Sequence, residues 1–212
     1  MPELPEVEVV RRGLQESVLG RRLTGAAVRQ AKLRWPVTAG LGRILKGQRV
    51  ESIDRRGKYL LVRLERGTLI IHLGMSGSLR FLASALPYGR HDHVDLKFEQ
   101  GLLRYHDPRR FGAILWHPGQ GEDAGKHPLL AGLGIEPFSE RFSADYLYAA
   151  TRGRKLSIKQ MLLAGKTVVG VGNIYASESL FRAGIRPKTA AGRLSQRRCQ
   201  LLVQAIRQTL AE

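Results

Sequence analysis

The chain has 212 residues, of which 35 are Lys or Arg and 18 are Asp or Glu, giving a formal net charge of +17 and an isoelectric point near 10.9. With 43% hydrophobic residues it can bury a core, which excludes disordered and fibrous classes, and the charge calls for a polyanionic partner. One cysteine, Cys199, excludes an internal disulfide and a thiolate metal cluster, and no apolar run reaches the length of a membrane helix, so the protein reads as soluble and cytoplasmic.

The N-terminus carries Glu3, Glu6 and Glu8 where a secretory signal would be basic and then apolar. After Pro5, a good first helical residue, Val7, Val10, Leu14 and Val18 recur three or four apart until Gly20, which predicts an amphipathic helix. From about residue 22 the pattern changes to short runs rich in Val, Ile, Leu and Tyr. Residues 59–64, 68–72, 94–98 and 112–116 predict strands. The breaks Glu65-Arg66-Gly67 and Glu99-Gln100-Gly101 are hairpin-like and favour an antiparallel sandwich or barrel over βα units.

Residues 119–140 hold five glycines and two prolines with little apolar periodicity, which places a domain boundary there. Beyond it the helical period returns, predicting helices over 144–150, 156–163, 174–181 and 196–210. The expected class is α+β: an N-terminal helix and antiparallel β-sandwich in residues 1–130, then a helical domain in residues 131–212. The last helix runs to Glu212 without a Gly or Asn stop, as in a chain cut short of its natural end. Residues 151–212 hold 12 basic residues against Glu178 and Glu212, so this segment is the stronger electrostatic footprint for a nucleic acid.

Chemistry centres on the terminus. Removal of Met1, which a small second residue permits, leaves Pro2 as a free secondary amine in front of a helix. An α-amino group of pKa near 8 is about 10% neutral at pH 7, against about 0.04% for a lysine, so it is the better nucleophile toward an electrophilic carbon. The iminium so formed keeps its charge and acidifies the neighbouring carbon, which opens a route to elimination. Glu3 beside it can hand a proton to a departing group, or can simply be a helix-start carboxylate.

Met1-Pro2-Glu3-Leu4-Pro5-Glu6-Val7-Glu8 resembles the opening of the formamidopyrimidine-DNA glycosylases, bacterial enzymes that remove oxidised purines from DNA. Four further motifs follow in that family's order: Arg56-Gly57-Lys58-Tyr59-Leu60-Leu61, His72-Leu73-Gly74-Met75-Ser76-Gly77, Asp107-Pro108-Arg109-Arg110-Phe111-Gly112 and Gly170-Val171-Gly172-Asn173-Ile174-Tyr175-Ala176. The last is similar to the helix–two-turn–helix element of this superfamily.

The resemblance implies a bifunctional glycosylase and abasic-site lyase of base excision repair, working as a monomer on duplex DNA containing oxidised bases. In it Pro2 is the Schiff-base nucleophile at the sugar C1′, Glu3 assists departure of the base, and Lys58, in a strand context, donates a proton in elimination near the lesion phosphate. Met75 and Phe111 fill the gap left by the extruded base, Arg109 bonds the partner base, and His91, Arg154 and Asn173 touch the DNA backbone. Read singly, Met75 and Phe111 are better taken as core residues. Asn173 after Gly170-Val171-Gly172 is either a plain N-cap or, with the free N–H groups of its helix, a phosphate cradle.

His91 and His93 would share a strand face and, with Asp92, His106 and Asp107, form a conceivable chelate, but the implied reaction uses no metal and none is expected in this chain. Family members continue beyond the point matching Glu212 into a base-covering loop and a four-cysteine zinc finger, neither of which lies in these residues. A nucleic-acid-binding module without catalysis is therefore a second reading. An endonuclease VIII-like enzyme for oxidised pyrimidines is a third, against which Leu4 argues, since that branch typically has Gly there.

Overall fold

A computed structural model describes residues 2–119 and 121–212. Met1, whose removal the proposed chemistry requires, lies outside the described residues. By internal contacts the chain divides into two compact units, Pro2 with Glu6–Leu130 and Glu3–Pro5 with Ala131–Glu212.

The first unit opens with most of helix α1 (Leu4–Val18) and continues through β1 (Leu23–Val28), α2 (Leu41–Leu45), β2 (Val50–Arg56), β3 (Tyr59–Leu64), β4 (Gly67–His72), β5 (Ser78–Leu82), β6 (Asp92–Phe98), β7 (Leu102–His106), β8 (Ala113–Pro118) and the start of α3 (Pro128–Ala131). Two four-stranded sheets form, in the orders β1-β6-β7-β5 and β2-β3-β4-β8, and every pair is antiparallel. Their alternating residues make one core: Leu60, Val62, Leu64, Leu69 and Ile71 from the second sheet meet Val94, Leu96, Phe98, Leu103 and Tyr105 from the first. Val7, Leu14 and Val18 of α1 join it, which is what their helical spacing requires.

Turn chemistry fixes the register of the second sheet. Arg56 pairs with Tyr59 across a two-residue turn whose first central residue, Gly57, has φ 57°, the conformation a II′ hairpin asks of glycine. Lys58 is the second turn residue, not a strand residue as its context predicts. That hairpin is tied to α1. The Glu8 carboxylate receives Arg11 at 2.8 Å, Arg12 at 3.0 Å and Arg55 at 3.3 Å, Arg55 also donates to the Gly57 carbonyl at 2.9 Å, and Arg11 reaches the Ile53 carbonyl at 3.2 Å.

The first sheet holds a charged pair inside. Arg104 donates twice to Asp95, both at 2.9 Å, with both residues buried, and its remaining donors take the Leu86 and Pro87 carbonyls. Strand β6 carries an irregularity between Asp92 and Val94, where the pairing steps from His106 to Tyr105 while β6 advances two residues. His93 is the extra residue, and His91 lies in the turn before the strand, so the shared strand face predicted for the two histidines does not exist.

The second unit is helical: α4 (Ala144–Thr151), α5 (Ile158–Leu163), α6 (Asn173–Arg182) and α7 (Gln196–Ala211). Ser143, Ser157 and Ser195 cap α4, α5 and α7 through their hydroxyls, and Ser157 with Gln160 forms a capping box. Leu147, Ile158, Leu162, Leu180, Leu202 and Ile206 form the core together with Leu4. The Arg207 guanidinium gathers the carbonyls of Pro137, Ser139 and Phe142, each at 2.9 Å. Cys199 is fully buried, so the residues present do not fit a four-thiolate zinc site. Among the described residues no helix is long and apolar enough to cross a membrane.

The Glu8 cluster makes stability depend on acid. Hydrogen bonds from Arg11 above all, then Arg12 and Arg55, overcome the opposing effect of burial and hold Glu8 at about 2 against an ordinary 4.5. Its stabilisation is complete above pH 4.5 and lost as the pH falls toward 2. Thermal melts of wild type and Glu8→Gln should therefore differ at pH 7 and converge as pH drops from 4.5 to 2; an undiminished gap at pH 2 would show that the ion pairs are not its source.

Candidate active site

In the second unit, Gly170-Val171-Gly172-Asn173 receives the N-terminal segment. The Glu3 side chain is 2% exposed, and both its oxygens accept backbone N–H groups at the start of α6: Gly172 at 2.6 Å and Tyr175 at 3.3 Å on Oε2, Ile174 at 3.0 Å on Oε1. A carboxylate there is favoured by the helix dipole as well as by the bonds themselves. The Leu4 N–H donates to the Gly170 carbonyl at 3.0 Å. Gly170 has φ 83°, and a Cβ on it would stand 2.5 Å from Leu4 Cδ1, so only glycine lets Leu4 seat in the core.

This corrects the sequence reading of Asn173. The N-cap is Gly172, without a side-chain cap bond, and Asn173 is the first helical residue with its side chain exposed. Three of the N–H groups expected to cradle a phosphate, those of Gly172, Ile174 and Tyr175, are engaged by Glu3. Arg154 is exposed in the α4–α5 connection, its backbone pinned by Arg154 N–H to Thr151 and by Gly192 N–H to the Arg154 carbonyl.

In the first unit Pro2 is half-buried and Lys58 sits half-buried in its hairpin turn. Next to that turn, Trp35, Tyr59, His72 and Phe111 line a cavity of about 140 Å³, together with Arg34. His72 Nδ1 accepts the Gly74 N–H at 3.0 Å, and its ring lies 4.7 Å from that of Tyr59. Burial first, then the positive charges of Lys58 and Arg34, push this imidazole down to about 4.

Met75 and Phe111 are not core residues: they are 43% and 41% exposed, on the β4–β5 and β7–β8 connections. The two connections touch. A Cβ on Gly74, at φ 66°, would stand 2.5 Å from the Phe111 carbonyl carbon and 2.6 Å from the Gly112 nitrogen. The Arg109 guanidinium lies 4.7 Å from the Phe111 ring centroid, and Arg110 adopts φ 56°, a left-handed conformation otherwise confined to glycines among the described residues.

His91 is half-buried, with ring centroids 6.3 Å from His93 and 5.9 Å from His106. Its neighbours are committed to protein: His93 Nε2 lies 2.7 Å from the Asp107 carbonyl and His106 Nδ1 2.8 Å from Asp92. Among the described residues no three such side chains are placed to hold a metal.

The first unit thus brings Lys58, His72 and Phe111 to one locality, and Met75, Arg109 and Phe111 to another that overlaps it. The second unit holds Glu3, Asn173 and Arg154. Sequence reasoning passed over Arg34, Trp35 and His72 around the cavity, and weighed only as part of a conceivable chelate the buried carboxylate of Asp107. The last two stand inside quoted motifs, which was the available signal.

Family models described as formamidopyrimidine-DNA glycosylase N-terminal domain and formamidopyrimidine-DNA glycosylase H2TH domain match residues 1–114 and 133–212. The chain is 58% identical over 214 residues to a formamidopyrimidine-DNA glycosylase of Burkholderia cenocepacia, covering 100% of this chain and 78% of that protein. It is 57% identical over 215 residues to that of Paraburkholderia phytofirmans, with the same coverage. Among solved structures it superposes with TM-score 0.90 on the Lactococcus lactis enzyme bound non-covalently to DNA containing an abasic site, at 32% identity and covering 99% of this chain and 80% of that one. A complex of the Lactococcus lactis protein with DNA containing an oxidised pyrimidine gives 0.91 at 33% identity, covering 99% and 79%, and a mutant with Fapy-dG DNA gives 0.92 at 32%, covering 99% and 77%.

Because Nδ1 of His72 is an acceptor, the neutral ring carries its proton on Nε2. Nitrogen chemical shifts of a labelled sample should show this tautomer persisting through pH 5, with titration near 4; a midpoint near the ordinary 6.5 would refute the burial of the ring beside Lys58 and Arg34.

Proposed function

Because the chain belongs to the formamidopyrimidine-DNA glycosylase family, a DNA-repair glycosylase family, we propose that it excises oxidised purines, 8-oxoguanine and formamidopyrimidines, from duplex DNA and then cleaves the strand at the abasic site. The observation that carries this is the anchored terminus. Glu3, covalently next to Pro2, is held by three backbone donors, which sets the main chain from which the Pro2 nitrogen projects.

In this reading the Pro2 nitrogen bonds to C1′ and the glycosidic C–N bond breaks, its electron pair leaving with the base, which takes up a proton. The proton shed by the attacking amine passes through Glu3 to the sugar ring oxygen, the ring opens, and a C1′ iminium remains. Loss of a C2′ proton to water then forms the C2′=C3′ bond and breaks the C3′–O bond, and Lys58 offsets the charge of the departing phosphate and gives its oxygen a proton. The steps need an amine, a carboxyl group and an ammonium group, and no cofactor from this chain.

Residues 1–130 serve as the catalytic domain and residues 131–212 as the DNA-binding domain of a monomer. The exposure of Met75 and Phe111 supports their entry into the base stack, with Arg109 at the unpaired partner base, and His91, Arg154 and Asn173 contact phosphates. A second reading, excision of oxidised pyrimidines, draws on the Lactococcus lactis complex with such DNA. Competing 8-oxoguanine:cytosine and thymine glycol duplexes in one assay separates the two.

Borohydride should trap a covalent adduct with 8-oxoguanine DNA that maps to Pro2, and trapping at a lysine would contradict the mechanism. Glu3→Gln should abolish turnover and, because it turns an amide NH₂ toward backbone N–H donors, lower stability by about 1–3 kcal/mol. Lesion binding that survives Glu3→Gln and Pro2→Gly while turnover disappears distinguishes an enzyme from a binding module.

A further inference from the structure

Asp107 is fully buried, and its carboxylate is met by three different segments of the first unit. Oδ1 accepts the Ser76 hydroxyl at 2.9 Å, from the connection that carries Met75. Oδ2 accepts the Gly112 N–H at 2.9 Å, from the connection that carries Phe111, and the Tyr105 hydroxyl at 3.1 Å, from β7. Burial and the charge of Asp107 push the Tyr105 hydroxyl far up, so it stays protonated and keeps donating. Ser76 Oγ in turn accepts the Arg109 N–H at 3.3 Å.

The backbone of the same residue does related work. The Asp107 N–H donates to the His91 carbonyl at 3.0 Å, and the Asp107 carbonyl accepts His93 Nε2 at 2.7 Å and the Arg110 N–H at 3.2 Å, closing the turn in which Arg110 is held left-handed. Glycines bring the pieces within reach: a Cβ on Gly112 would stand 1.7 Å from the Tyr105 hydroxyl, and one on Gly77 would stand 2.1 Å from the Leu73 carbonyl oxygen.

We infer that Asp107 is a positioning residue that locks the Met75 and Arg109–Phe111 connections into one preorganised wedge, so that a single buried carboxylate sets how well the protein opens a base stack. The inference rests on the reading above that these side chains enter DNA. Two large apolar side chains kept partly in water on separate connections gain most by folding back, and Ser76 and Gly112 hold both connections against that through one acceptor. Asp107 touches no substrate in this scheme. It acts through Ser76 and Gly112.

The test uses a duplex with a tetrahydrofuran abasic analogue and 2-aminopurine as the partner base, whose fluorescence rises on unstacking. Ser76→Ala removes only the link to the Met75 connection, and Asp107→Asn leaves one acceptor oxygen where there were two. Both should cut the fluorescence rise by about half or more while the dissociation constant for the duplex stays within about threefold, and Ser76→Thr, which keeps the hydroxyl, should restore it. On an 8-oxoguanine:cytosine duplex Ser76→Ala should lower kcat by about tenfold with little change in KM, and it should leave cutting at an abasic site in a single strand near wild type. If Asp107→Asn fails to fold, Ser76→Ala decides. Wild-type fluorescence from Ser76→Ala, or an equal loss of cutting on single-stranded and paired substrates, overturns the inference and leaves the proposed function standing. Fluorescence changes as expected from a wild-type protein that cuts neither substrate support the inference and overturn the proposed function.

Discussion

A carboxylate taken out of water has to be met by donors on its own protein, and this requirement organises both units. In the helical unit Glu3 draws three N–H groups of the α6 start toward the N-terminal segment, and the glycines of that turn are what let the segment approach. In the sandwich unit Asp107 draws in Ser76, Tyr105 and Gly112, and Asp95 draws in Arg104 from the neighbouring strand. Each of these carboxylates is nearly or wholly inaccessible, so each local geometry is dictated by where its donors can stand. The side chains to which the proposed function gives roles hang from the segments so fixed: Pro2 before Glu3, Met75 before Ser76, Phe111 before Gly112.

The same accounting changes the meaning of the positive charge. Much of the arginine in this chain faces inward or along the surface to partners of its own: Arg11 and Arg55 to Glu8, Arg104 to Asp95, and Arg207 to three carbonyls. Those guanidiniums serve the fold. Others face solvent, and among them Arg109 and Arg154 sit on segments whose backbone is pinned.

What could be read from residue order alone was whatever depended on local period. Helix α1, strands β3, β4, β6 and β8 and the four later helices follow from apolar spacing. Strands β1, β2 and β5 escaped although the edge strand β8 did not: β1 is made largely of small residues, β5 carries Arg80, and β2 carries Glu51, Asp54, Arg55 and Arg56. Strand β7 is interior yet holds Arg104, which reads as solvent until Asp95 is seen beside it. Long-range pairing hid the site: Glu3 meets donors about 170 positions away and Ser76 is 31 positions from Asp107. The irregularity at His93 is likewise invisible to a rule that alternates faces. Only the motif order pointed to Lys58, and the turn position of Lys58 and the engaged N–H groups beside Asn173 differ from expectation.

Surface connections are ordinarily where a protein lineage drifts most freely, accepting insertions and exchanges that the core forbids. The Gly74–Gly77 and Asp107–Gly112 segments invert that rule, since backbone stands where the first carbon of any side chain would go at Gly74, Gly77 and Gly112. Descendants of this sequence can exchange a Leu for an Ile inside the sandwich more readily than they can alter these few buried glycines of its connections. Homologous chains compared side by side should therefore vary least at a place that, judged only by its lying between strands, looks most dispensable.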